Sequence, residues 1–206
     1  MSKIIEFNSK KDYYNYVNQE AVSVVGKGSE GVTFLTKDDK VIKVMIYSWM
    51  PKKYKEYPDI IMEDDIKLDS FIFPKELYII NGIIVGYKED YFKDNVFGFD
   101  SSLDRIDIDK IIKAREKFIE DTKVITDKGY KLYELPRNLM FNNNKFVAID
   151  TLDYIKDNKV TLDINKSILD YAILLELSEL CCDVDSKGSF EEEMPKVYSF
   201  KNRYYM

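Results

Sequence analysis

The chain predicts an α+β protein in which a strand-rich first half gives way to a helix-rich second half. Two stretches, Ala21 to Ile46 and Glu76 to Tyr87, consist of short β-branched and aromatic runs broken by turn residues, the pattern of antiparallel hairpins. From Asp104 to Asp127 the apolar residues recur mostly at helical steps. The period changes near residues 93–102, which divides the chain into residues 1–92 and 93–206.

The elements follow in order. Asn8 to Gln19 reads as a short amphipathic helix capped by Asn8 or Ser9, with Tyr13, Tyr14, Tyr16 and Val17 on its apolar side. Val32 to Thr36 and Val41 to Met45 are strands joined by the polar turn Lys37-Asp38-Asp39-Lys40. A polar connection from Tyr47 to Lys55 holds the only tryptophan, Trp49, and Pro58 to Leu68 is a second helix with Asp59 near its start. The strands Glu76 to Ile80 and Ile83 to Tyr87 flank Asn81-Gly82, the strongest short hairpin signal. After the long helix, Gly129 stands where a C-terminal cap belongs. A last helix begins at Thr161 or Asp163 and shows a face of Ile164, Ile168, Ala172 and Leu175, widened by Ile173, Leu174 and Leu177. The tail carries Glu191-Glu192-Glu193, read as solvated, then Tyr198, Phe200, Tyr204 and Tyr205.

Composition narrows the chemistry. At 206 residues and 45% hydrophobic content, the chain has material for a sizeable core. A net charge of −6 argues against non-specific nucleic-acid binding. The chain contains no histidine, so Ser-His-Asp and Cys-His catalysis and His-ligated zinc are excluded. Acid–base work must fall to carboxylates, lysine or tyrosine. The two cysteines, Cys181 and Cys182, are adjacent and form no disulfide framework, which fits a reducing cytoplasm. The first residues lack a signal-peptide core, and no apolar run reaches the roughly 18 residues of a membrane span. The expectation is a cytoplasmic protein, with secretion by a signal-independent route the alternative.

Two constellations carry the function. The first is Val25-Gly26-Lys27-Gly28-Ser29-Glu30-Gly31-Val32, followed by Val41-Ile42-Lys43. Gly26, Gly28 and Gly31 fall in the order G-x-G-x-x-G. Glycine lets a backbone turn and approach a ligand closely, and amides in such a loop suit phosphate oxygens. Lys43, near the end of the next strand, adds a point charge. A dinucleotide fingerprint would open a helix at the third glycine, whereas Gly31 runs into a strand. A nucleotide-phosphate clamp and a plain hairpin with a glycine-rich bend both stay open on these residues.

The second constellation is Lys131-Leu132-Tyr133-Glu134-Leu135-Pro136-Arg137-Asn138-Leu139-Met140-Phe141, a turn at Asn142-Asn143-Asn144, and the strand Phe146-Val147-Ala148-Ile149-Asp150. Asn138 and Asp150, 12 residues apart, are spaced as a tight hairpin allows. Their amide and carboxylate oxygens suit Mg2+. Turn capping by Asn138 and strand termination by Asp150 explain each residue taken alone.

Together, and in this order, the two constellations resemble the protein-kinase superfamily, within it the small, divergent bacterial kinase-like proteins, over roughly residues 20–180. The resemblance implies a two-lobed protein-kinase-like fold. Residues 1–92 would form a nucleotide-binding lobe, an antiparallel sheet with one helix, and residues 93–206 a reduced, mostly helical lobe. It implies ATP and Mg2+ as cofactors. Gly26, Gly28, Ser29 and Gly31 would form the phosphate loop and Lys43 the phosphate lysine, held by Glu63, with Asp64 and Asp65 as rivals. Residues 89–92, near Glu89 and Asp90, would be the hinge that meets adenine through its backbone. Asn138 and Asp150 would hold the metal.

Departures from the family pattern concern the acceptor. The catalytic aspartate position, five residues before Asn138, is Tyr133, and Glu134 is the nearest carboxylate. Arg137 stands ready to neutralise the transferring phosphate. Thr151 and Leu152 replace the Phe and Gly of D-F-G, no A-P-E follows, and 56 residues remain after Asp150. The expected activity is phosphorylation of a protein Ser/Thr hydroxyl, with a small-molecule kinase close behind. The alternatives are a pseudokinase that binds nucleotide or scaffolds a protein partner, and an α+β binding protein without nucleotide. The expectation depends on Lys43 and the pair Asn138 and Asp150 converging on one triphosphate.

Overall fold

A computed structural model describes residues 3–28, 30–46, 68–92, 107–141 and 145–185, with side chains described to residue 178. The expected helix over residues 58–68, Trp49, the period change at 93–102 and the aromatic tail lie outside the described residues, apart from Leu68. The chain divides into two compact units, Met1–Lys67 with Ile72–Lys93, and Leu68–Phe71 with Asp94–Met206.

The first unit is built on strands whose two faces are set by alternation. They are β1 (Lys3–Glu6), β2 (Ala21–Lys27), β3 (Gly31–Thr36), β4 (Lys40–Met45), β5 (Glu76–Ile80) and β6 (Ile83–Asp90), in the sheet order β1-β5-β6-β4-β3-β2. The β5–β6 hairpin turns at Asn81-Gly82, both at positive φ (51° and 74°), as a two-residue turn of this type requires. The β3–β4 turn places Asp39 at φ 54°. It is braced by Thr36, whose hydroxyl donates to the Asp38 carboxylate at 2.6 Å. That bond first, then Lys88, holds the Asp38 carboxyl at about 2.

The sheet is mixed rather than purely antiparallel. β1 pairs in parallel with β5, Ile4 opposite Leu77 and Ile5 opposite Tyr78. This corrects the expected antiparallel sheet. The physical reason is the crossover: α1 (Lys10–Glu20) carries the chain from β1 on one outer edge to β2 on the other.

Ser9 caps α1, its hydroxyl accepting from the Asp12 N–H at 3.1 Å. The helix buries Tyr13 and Val17 against Ile42, Val44 and Tyr78, while Tyr14 stays half exposed. Ile42 and Val44 alternate on β4, so one face of the sheet belongs to the helix. At the edge of that face Lys88 is buried and paired with Asp38 at 3.0 Å and Glu20 at 3.7 Å.

The second unit gathers α2 (Ile108–Asp127), β7 (Tyr130–Lys131), α3 (Leu135–Asn138), β8 (Leu139–Phe141), β9 (Phe146–Ala148), β10 (Ile155–Lys156) and α4 (Leu162–Asp185). Asp107 caps α2, whose buried stripe includes Ile111, Ile112, Phe118 and Ile125. Gly129 ends it at φ 77°. α4 is capped by Thr161, the Oγ1 accepting from the Ile164 N–H at 3.3 Å. Its buried face is Asn165, Leu169, Ala172, Ile173 and Leu177, with Ile164 exposed, so the stripe is rotated from the expected one. Two polar anchors cause the rotation. Asp170 accepts a buried bidentate pair from Arg115 of α2. Asn165 bonds the Tyr130 carbonyl and the Leu132 N–H.

Gly86 marks the tightest point of the α1 face. A Cβ there would lie 2.1 Å from the Tyr13 hydroxyl and 2.5 Å from the Lys43 carbonyl. Gly86→Ala is expected to cost about 1–3 kcal/mol by overpacking, read as a lower midpoint in urea. Gly82→Ala, with open space around its Cβ but a positive φ, is expected to cost only the smaller backbone strain.

Candidate functional site

The sheet face opposite α1 carries the phosphate-binding candidates. β4 pairs with both neighbours so that Thr33, Lys43 and Tyr87 stand in one row, continued by Gly26 on β2 and Leu77 on β5. One row over stand Leu35, Val41 and Glu89. Lys43 is thus displaced to this face by the same alternation that gives Ile42 and Val44 to the helix. Its side chain is only 15% exposed and its ammonium lies 3.9 Å from the Glu30 carboxylate and 5.9 Å from the Tyr87 ring centre. Glu63, with Asp64 and Asp65, and Ser29 lie outside the described residues.

The three glycines differ in what the fold asks of them. None adopts a positive φ. At Gly31 a Cβ would fall 2.2 Å from the Val44 carbonyl oxygen, so strand packing alone requires glycine. Gly28 has open space, and a Cβ on Gly26 would meet only Thr33, at 3.9 Å. Among the described residues no close contact requires glycine at position 26 or 28. The Gly28 N–H donates to the Gly31 carbonyl at 2.9 Å, so that amide closes the hairpin.

Glu89 was expected only as part of a hinge. It is buried, and its Oε2 has no hydrogen-bond partner among the described residues. Burial pushes its carboxyl up to about 8, Lys43 pulls it back and Asp90 adds to the rise. No local signal marks this residue, because a Lys-Glu-Asp strand end reads as solvated. Only the register opposite Val41 reveals it. Asp90 is different: it is exposed and its carboxylate accepts from Lys75 at 2.7 Å.

The second unit carries the remaining candidates on and around the β8–β9 hairpin. Leu139 faces Ala148, and the ladder extends by one bond, the Ile149 N–H to the Asn138 carbonyl at 2.9 Å. Asn138 and Asp150 therefore lie at the same end of one hairpin, as their spacing predicts. Among the described residues no cluster of three or more His, Cys, Asp or Glu is placed to hold a metal ion. Two oxygen-bearing residues suit Mg2+ nonetheless, because that ion characteristically completes its shell with phosphate oxygens and water.

Before the hairpin, Leu132 and Leu135 are both buried, and the residues between them, Tyr133 and Glu134, are exposed. Asn165 fixes the approach to this loop from α4. Arg137 is exposed in the last turn of α3. After the hairpin a 3-10 turn runs from Thr151 to Asp153, with Thr151 and Leu152 buried. β10 then returns to pair with β7.

Four non-glycine residues adopt positive φ among those described: Asp39, Asn81, Glu134 and Asp150. The first two sit in hairpin turns. Glu134 (φ 50°) and Asp150 (φ 55°) do not. Left-handed backbone costs an ordinary residue about 1–2 kcal/mol, and such residues persist where their surroundings over-determine them.

Two outcomes follow for this site. Gly31→Ala is expected to destabilise the fold by about 1–3 kcal/mol, whereas Gly28→Ala, with open space around its Cβ, is expected to leave the urea midpoint unchanged. Between the ordinary carboxylate range and about 8, the unfolded chain has released a proton that folded Glu89 keeps. Stability from this group therefore falls as pH rises from 5 to 8, by at most about 1.4 kcal/mol per unit. Urea midpoints across that range should show Glu89→Gln flattening the slope relative to the parent.

No protein-family model matches the chain, and no curated protein matches it. Among solved structures it is similar to the Legionella pneumophila Lpg2603 kinase bound to IP6, with a TM-score of 0.44 and 18% sequence identity. The match covers 74% of this chain and 56% of that one, so the chain spans little more than half the length of that kinase.

Proposed function

We propose that the protein is an ATP- and Mg2+-dependent phosphotransferase of protein-kinase-like fold, with a protein Ser/Thr hydroxyl as acceptor. The observation that carries this reading is the left-handed backbone of Glu134 and Asp150, two acidic residues outside any hairpin turn. Both carry side chains that the sequence marks for chemistry, and each stands at the start of a short helical turn rather than in a two-residue hairpin turn that asks for positive φ.

In this reading residues 1–92 bind nucleotide and residues 93–206 supply the catalytic loop and the metal ligands. Lys43 orients the phosphates as a point charge, steadied by an acidic neighbour: Glu30 at 3.9 Å, with Glu63 as the partner inferred from the family resemblance. Gly26 and Gly28 let the backbone approach the triphosphate. Asn138 and Asp150 would hold Mg2+, which when bound neutralises charge on the phosphate oxygens. Glu134 accepts the proton of the acceptor hydroxyl as its oxygen bonds to the γ-phosphorus and the bond to the leaving ADP oxygen breaks. Arg137 offsets charge on the transferring group. Positioning and charge neutralisation supply most of the rate gain in such transfers.

A second reading, a pseudokinase that binds nucleotide or a protein partner, is favoured by Tyr133 at the position where the family keeps its catalytic aspartate. Transfer of labelled γ-phosphate, in autophosphorylation or to a mixed protein acceptor, separates the two. The active-kinase reading expects Asp150→Asn and Glu134→Gln each to lower turnover at least about 100-fold. Asp150→Gly is expected to abolish turnover while its urea midpoint stays at or above that of the parent, because glycine relieves the left-handed strain. Turnover that survives Asp150→Ala contradicts the metal assignment. Mg-ATP binding without turnover in the parent favours the pseudokinase.

A further inference from the structure

We propose that β2 is a self-pairing edge: its outer side joins antiparallel to β2 of a second copy of this chain and continues the sheet across a two-fold axis. This pairing is independent of the nucleotide-binding reading above.

β2 ends the sheet order, and among the described residues no strand pairs with its outer side. A strand in that place presents a row of N–H and C=O groups to any chain that can pair with them, and proteins guard such edges with charge, proline or brevity. The opposite edge, β1, is guarded: it is four residues long, begins at Lys3 and ends at Glu6. β2 is seven residues long, and Ala21 to Gly26 holds neither a charge nor a proline.

The side chains of this run are apolar and face solvent. Val22 is 62% exposed, Val24 60% and Val25 40%. β-branched residues pack well against a neighbouring strand, and an uncharged run of them at an open edge is an aggregation hazard unless something specific covers it. The ladder with β3 shifts register twice, skipping Val22 and Val25. Such shifts increase a strand's twist, and a two-fold mate carries the same twist.

Charge selects the occupant. Glu20 immediately precedes the run and Lys27 closes it. An antiparallel copy aligned on the valines brings the Glu20 end of one chain to the Lys27 end of the other, at both ends of the joint. A parallel copy would set like charge against like. The strand is therefore complementary to itself in one direction, the property an isologous interface needs. Glu20 also lies 3.7 Å from Lys88, which keeps Asp38 at 3.0 Å when Glu20 is changed.

Sedimentation equilibrium of the full chain, from micromolar to millimolar protein, tests the assignment. The parent is expected to dimerise reversibly and weakly, as a joint of this size does. Val24→Lys, which puts a charge in mid-strand, is expected to weaken the dimer at least about tenfold, as is Lys27→Glu, which turns both end pairs into like charges. Glu20→Lys alone has the same effect, and an equimolar mixture of Glu20→Lys with Lys27→Glu restores a dimer, since each end then joins opposite charges. Urea midpoints show that each variant folds; should Glu20→Lys not fold, Val24→Lys and Lys27→Glu still decide. A parent that stays monomeric throughout overturns the proposal and leaves a strand from another protein as the occupant to seek. A dimer that Val24→Lys and Lys27→Glu leave unchanged overturns it by placing the contact elsewhere, and a mixture no more dimeric than its components overturns it as well.

Discussion

Strand alternation in β4 is the constraint on which the first unit depends. Its residues Val41 to Val44 are apolar, apolar, basic, apolar, and each occupies a face fixed by its neighbours. Ile42 and Val44 must meet Tyr13, Val17 and Tyr78, which consumes one face. Lys43 then has only the opposite face. A slip of one residue would put the ammonium under α1 and take Ile42 out of the cluster, so the hydrophobic cluster and the position of the charge are a single choice. Gly31 and Gly86 reinforce it, since both sit where a side chain would collide with the backbone of β4.

The second unit achieves positioning by a different route. Its candidate residues sit on short elements, a four-residue helix and two three-residue strands, which have little stability of their own. Order comes from buried residues on either side. Leu132 and Leu135 clamp the loop that carries Tyr133 and Glu134, and Asn165 bonds the approach to it. Beyond Asp150, buried Thr151, Leu152 and Tyr154 do the same. The long helices thus act as a frame, and the loops borrow their rigidity.

Local chemistry made much of this legible in sequence. Asn81-Gly82, the Ser9 cap, Gly129 and the period of α2 each encode their structure within a few residues. What stayed hidden was non-local. The parallel pairing of β1 depends on a partner some 70 residues away in sequence, and Lys3 to Glu6 looks like an unremarkable polar start. The face of α4 was misjudged because a polar pair and an amide outweigh Ile164 in setting its rotation. For the site, the residue types were readable and their spacing matched a hairpin, yet left-handed backbone at Glu134 and Asp150 has no signature in side-chain pattern. Glu89 was hidden for the same reason as β1: its burial is a property of a register, not of its neighbours in the chain.

The Arg115–Asp170 pair, closed by two parallel hydrogen bonds inside the junction of α2 and α4, has an evolutionary corollary. Losing either member alone strands an opposite charge away from water, whereas losing both for apolar groups of similar volume can be harmless. The two positions should therefore drift as a unit: sister lineages would be expected to keep both ions or to have traded both for hydrocarbon, with half-replaced intermediates selected against.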